Sequence, residues 1–71
     1  MELESEMKKL RELTQSCVLV EASRNPEEFL CTIGWHHRGN WFRDIQVSAE
    51  NALDAVRLAK EKWTNEQTHE V

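Results

Sequence analysis

The adjacent histidines His36-His37 and the cysteines Cys17 and Cys31 are the side chains whose types could hold a metal or act as nucleophile and base. Zinc needs several nitrogen or sulfur ligands converging on one point, which sequences announce through spacings such as CxxC or HxxxH. Neither spacing occurs here. On a strand, successive side chains point to opposite faces, so His36 and His37 could not close on one ion. A cysteine nucleophile needs a base and an orienting group beside it in a pocket. Neither Cys17 nor Cys31 has a histidine and a carboxylate placed to serve it. With only Gly34 and Gly39, the chain has no glycine-rich loop to cradle a phosphate. We therefore expect no catalytic residue, no metal and no cofactor, and read the chain as non-enzymatic.

The segment Trp35-His36-His37-Arg38-Gly39-Asn40-Trp41-Phe42-Arg43 interleaves aromatic and basic side chains. Flat rings beside cations suit stacking on unpaired bases. Tryptophan and arginine also dominate the energetic centres of protein interfaces. The plainer reading is a hairpin whose aromatics are half core and half rim.

These residues must be positioned by a short series of elements. Leu3, Met7, Leu10 and Thr14 recur at helical spacing, with Glu2, Glu4 and Glu6 early and Lys8, Lys9 and Arg11 later, as the helix dipole favours; this predicts a helix over 2–14. The β-branched run 17–22 (CVLVEA) reads as a strand, followed by turn chemistry at Ser23, Arg24, Asn25, Pro26 and Glu27. Strands follow over 28–37 and 41–47. Ser48 is expected to cap a second helix over 49–63, with Val47 stapled onto Ala52. Ala52, Ala55, Val56, Ala59 and Trp63 give that helix a narrow apolar stripe. Residues 64–71 read as a flexible polar tail. The fold class is α+β, in the order α-β-β-β-α: a three-stranded antiparallel meander with two helices, forming one domain over 1–71.

Loop lengths sort the strand side chains. A three-residue loop Arg38-Gly39-Asn40 would pair His37 with Trp41, Trp35 with Arg43, Ile33 with Ile45 and Cys31 with Val47. A four-residue loop over 24–27 would pair Ala22 with Phe29, Val20 with Cys31 and Val18 with Ile33. Both hairpins then share an inner face of Val18, Val20, Ala22, Phe29, Cys31, Ile33, Trp35, Trp41, Ile45 and Val47. The outer face carries Cys17, Leu19, Glu21, Leu30, Thr32, Gly34, His36, Phe42, Asp44 and Gln46, with Leu19, Leu30 and Phe42 as its apolar centre. His36 would lie diagonal to Asp44, within hydrogen-bond reach. Either the first helix covers this face or another chain meets it. The two cysteines fall on opposite faces, which excludes a disulfide and implies a reducing compartment.

The 71 residues carry 13 acids against nine bases, a net charge of −4. Nucleic-acid binders gather positive charge on one face, so this balance argues against that class. No apolar run approaches the roughly 20 residues that span a bilayer, no leader-like N-terminus is evident, and a cytoplasmic protein is expected. The element order resembles the layout of the double-stranded RNA-binding domain across most of the chain. That family spans phosphates with basic residues at the start of its second helix, where this chain reads Ser48-Ala49-Glu50-Asn51 and then Asp54. The resemblance therefore implies fold order alone.

The expected function is that of a small protein-interaction or inhibitor protein. It would act by surface occupation or by sheet-mediated dimerisation, through Leu19, Glu21, Leu30, His36, Trp41, Phe42, Arg43 and Asp44. Short acidic chains of this kind are common among phage and mobile-element inhibitors of host machinery, including anti-CRISPR proteins. The partner would be another protein, nucleic-acid-handling host machinery among the candidates, or a second copy in a homodimer. Glu21, Glu27, Glu28 and Asp44 could then imitate phosphate in a basic groove. The alternatives are RNA or single-stranded DNA bound by the hairpin 35–43, and a structural homodimer. No membrane partner is expected.

Overall fold

The computed structural model describes residues 2–25 and 27–68. Its elements are α1 (Glu2–Thr14), β1 (Cys17–Ala22), β2 (Phe29–His37), β3 (Asn40–Ala49) and α2 (Ala52–Thr68), with the strands forming one antiparallel sheet in the order β1-β2-β3. The α-β-β-β-α order is as the sequence implies.

The helix α1 ends where Gln15 enters the left-handed region (φ 56°) and its N–H bonds back to the Arg11 carbonyl at 2.8 Å. That reversal sends the chain directly into β1. The turn between β1 and β2 keeps the expected register: Ala22 faces Phe29, Val20 faces Cys31 and Val18 faces Ile33. Asn25 organises it as an Asx turn, its Oδ1 accepting from the Glu27 N–H at 3.2 Å while its carbonyl accepts from the Glu28 N–H at 3.0 Å. Pro26, to which the sequence reading gave part of the turn, lies outside the described residues.

Both helices pack on the same face of the sheet. Leu10 of α1, Ala55, Val56 and Ala59 of α2, and Val18, Cys31, Ile33 and Ile45 of the sheet form one buried cluster, with Leu3, Met7, Val20, Phe29, Val47 and Trp63 against it. The stripe of alanines brings α2 close to the strands, and each large side chain buried there contributes roughly 1.5–3 kcal/mol. The other face of the sheet is left without a helix, which answers the question of whether α1 covers it.

Three expectations need correction. Ser48 does not cap α2, because β3 runs on to Ala49 and Ser48 pairs with Leu30 inside the sheet. The cap is Asn51, whose Oδ1 accepts from the Asp54 N–H at 2.8 Å while its Nδ2 donates to Asp54 Oδ2 at 2.9 Å. The first bond satisfies one of the N–H donors that a helix start leaves open, and the second braces the Asn51 side chain against Asp54. Second, α2 continues through 64–68, where a flexible tail was expected; 69–71 lie outside the described residues.

The third correction concerns the β2–β3 hairpin. His37 pairs with Asn40, so the loop has two residues, Arg38 and Gly39, both at positive φ (53° and 80°). Two positive φ values mark a type I′ turn, whose twist matches that of the strands. The register then shifts between Ile33 and Gly34: Gly34 faces Arg43, yet Ile33 still faces Ile45 and Cys31 still faces Val47. Asp44 is the extra residue of a β-bulge. The core pairing is thus as expected, while the tip above the bulge is displaced by one residue. Trp41, expected inside, pairs with His36 on the open face. Phe42, expected outside, pairs with Trp35 on the helix side of the sheet. Trp35 itself is 44% exposed, and Ala22 is also exposed.

Candidate partner-binding surface

The bulge and the tight turn bring five aromatic rings to the end of the β2–β3 ribbon, arranged in two layers. On the helix side, the Trp35 and Phe42 rings stack with centroids 6.0 Å apart and planes 16° apart, and His37 approaches Phe42 at 6.4 Å. On the open side, the His36 ring meets Trp41 at 4.9 Å. Cross-strand aromatic pairs of this kind each add roughly 0.5–1.5 kcal/mol beyond area burial, which stiffens an otherwise projecting ribbon. His36 and His37 face opposite sides. Among the described residues no group of three or more His, Cys, Asp or Glu could hold a metal ion.

Gly34 makes the open-side layer possible. A β-carbon there would collide with the Phe42 carbonyl oxygen and sit 2.9 Å from Trp41 Cζ2, so the indole lies directly over the glycine. Trp41 is accordingly half-buried, whereas Trp35 and Phe42, at 44% and 42% exposure, present their rings to solvent. Arg38 stands at the apex. Arg43 reaches along the open face, its Nη1 donating to Gln46 Oε1 at 3.1 Å, while Gln46 Nε2 donates to Thr32 Oγ1 at 3.1 Å. That chain satisfies the buried Thr32 hydroxyl. No hydrogen bond joins His36 to Asp44; the bulge turns Asp44 out of register and His36 takes an aromatic partner instead.

Of the residues singled out from the sequence, His36, Trp41, Phe42, Arg43 and Asp44 gather at the tip, divided between its faces by the bulge. Leu19, Glu21 and Leu30 lie nearer the other end of the open face, where Leu19 is 49% exposed and Leu30 half-buried. Trp41 takes the place of Phe42 on that face, whose large apolar residues are Leu19, Leu30 and Trp41. The supposed phosphate mimics do not converge. Glu27 and Glu28 line a depression with Glu50 at the loop end of the sheet, whereas Asp44 sits toward the opposite end. The ribbon tip is cationic and aromatic; the loop end is acidic.

Sequence reasoning placed Trp35 in the core and missed its stacking on Phe42. The Arg38-Gly39 pair was the available signal, since X-Gly two-residue loops favour type I′ turns. It also missed Leu58, which α2 leaves 43% exposed beside β3. Burial pushes the Cys31 thiol up to about 11, while Cys17 is exposed; both are free. Among the described residues no helix is long and apolar enough to cross a membrane. Comparison with protein-family models, curated proteins and solved structures finds no match.

Proposed function

We propose that this chain is a small non-enzymatic binding protein that holds another protein through the tip of the β2–β3 hairpin. The observation that carries the reading is the exposed Trp35–Phe42 stack at the hairpin end, with Arg38 at the apex and Arg43 on the opposite face of the ribbon. Rigid aromatic rings give contact area at low entropy cost, and a type I′ ribbon braced on both faces holds them ready for a partner. A partner surface that is concave and acidic would accept both the rings and the arginines.

Capture from lysate on immobilised protein tests this, using Phe42→Lys and Leu19→Lys as paired variants with retained circular dichroism. Wild type and Leu19→Lys should retain the same partner and Phe42→Lys should lose it. Equal capture by Phe42→Lys would remove the tip from consideration. The stacked rings near the apical Arg38 also favour a second reading, single-stranded nucleic acid bound at the same tip. A filter-binding titration with oligothymidylate separates the two. Binding that weakens steeply with salt supports nucleic acid; none at low salt supports a protein partner.

A further inference from the structure

The edge of β3 and the adjoining flank of α2 form a second surface, independent of the hairpin tip. In the order β1-β2-β3, the outer edge of β3 has no strand beside it among the described residues. Half of the backbone N–H and C=O groups along Ile45–Ala49 therefore point away from the sheet, as on any edge strand. Arg57 of α2 pairs with Glu2 of α1 at 4.0 Å. Leu58 and Lys62 lie beside Val47 and Ser48 of β3. There an open trough of about 620 Å³ has Val47 and Leu58 in its lining, and a second depression sharing Leu58 and Glu61 continues it toward Ala49 and Asp54. Leu58, at 43% exposure, is a large apolar side chain on a helix that otherwise commits its aliphatic stripe inward.

We propose that this trough receives an extended peptide, which adds to β3 as a fourth strand and places an aliphatic side chain against Leu58 and Val47. Strand addition supplies backbone hydrogen bonds, and a pocket reading alternate side chains supplies selectivity. The charge around the trough selects the flanks of that peptide. Glu50, Asp54, Glu61 and Glu66 outnumber Arg57 and Lys62 there, and Arg57 is also 4.0 Å from the Glu2 carboxylate. The fitting ligand is thus an aliphatic centre flanked by lysine or arginine. The bulge at Asp44 interrupts the regular edge on one side and the turn at Glu50 ends it on the other, leaving room for about five residues.

The probe is a fluorescein-labelled heptapeptide, Lys-Thr-Val-Leu-Val-Thr-Lys, titrated into the full chain and followed by anisotropy. Saturable binding is expected, weakened at least tenfold by Leu58→Lys and by replacing both peptide lysines with glutamate. A proline in place of the central leucine should abolish it, because proline cannot donate to a ladder. Amide shifts in a nitrogen–proton correlation spectrum should cluster along 45–49. Phe42→Lys should leave the affinity unchanged, so that failure of the tip and failure of the trough are read separately. No binding at millimolar peptide, or equal binding by the proline peptide or by Leu58→Lys, would overturn the proposal. So would sedimentation of the chain as a dimer that Leu58→Lys converts to monomer, since a second copy would then be the occupant.

Discussion

Replacing Gly34 with alanine tests the hairpin geometry at its tightest point. The added β-carbon meets two obstacles: the Phe42 carbonyl oxygen, which is backbone, and the Trp41 ring at 2.9 Å from Cζ2 and 3.0 Å from Cη2. A ring can slide, but a carbonyl in a paired strand can move only if β2 and β3 part at the bulge. Forcing an extra carbon into a packed site costs about 1–3 kcal/mol. Loss of the glycine's freedom in the unfolded chain returns about 0.4–1 kcal/mol. The net expectation is destabilisation by about 1–2 kcal/mol, or a fall in Tm of roughly 5–15 °C for a domain this small. Thermal unfolding followed by far-ultraviolet circular dichroism measures it, with Trp41→Ala as background. Removing the indole should relieve only part of the penalty, because the carbonyl remains. An unchanged or raised Tm for Gly34→Ala would refute the bulged register, since a regular ladder there leaves room for a methyl group.

Other expectations follow from single features. Arg38 adopts a left-handed backbone that costs ordinary residues roughly 1–2 kcal/mol, so Arg38→Asn should raise the urea midpoint by the equivalent of about 1 kcal/mol with an unchanged m value. Asn51→Ala removes the cap of α2 and should cost about 1 kcal/mol in the same assay, whereas Ser48→Ala should be nearly silent. The Cys31 thiol ionises near 11 when folded and near 9.0 when unfolded, so the unfolded state loses its proton first. Stability should therefore be constant below pH 9 and fall as pH rises from 9 to 11, by up to about 2–3 kcal/mol, and Cys31→Ala should abolish that slope in urea titrations at pH 7 and pH 10.5. A disulfide-exchange reagent should modify Cys17 at once and Cys31 only on unfolding.

Much of this architecture is legible in the sequence because apolar spacing and turn chemistry agree. Leu3, Met7 and Leu10 define the inner face of α1, and the pairing of Val18 with Ile33 and Ile33 with Ile45 follows from matching apolar residues across the strands. The tip was not legible by that logic. A continuous ladder from Ile33–Ile45 outward requires a three-residue loop, and nothing in alternation alone signals that one residue will be skipped. The protein combines a two-residue turn with a bulge and keeps the same core pairs, which exchanges the faces of Trp41 and Phe42. The cap was missed for a related reason. Ser48 and Asn51 are both good capping residues, and only the length of β3 decides between them. The candidate surface inherits these errors: its residues were rightly gathered near the tip but assigned to the wrong sides.

The skipped residue leaves the ribbon with two self-consistent ways to zip. Both share every contact below Ile33, and they differ in whether Asp44 is passed over or counted. Counting it would turn the outermost rings over, carrying Phe42 toward the uncovered side and Trp41 toward the helices. A chain shortened by deleting Asp44 keeps the observed partners and loses the alternative, so the length of one strand, rather than any side chain, fixes which rings the hairpin shows to the outside.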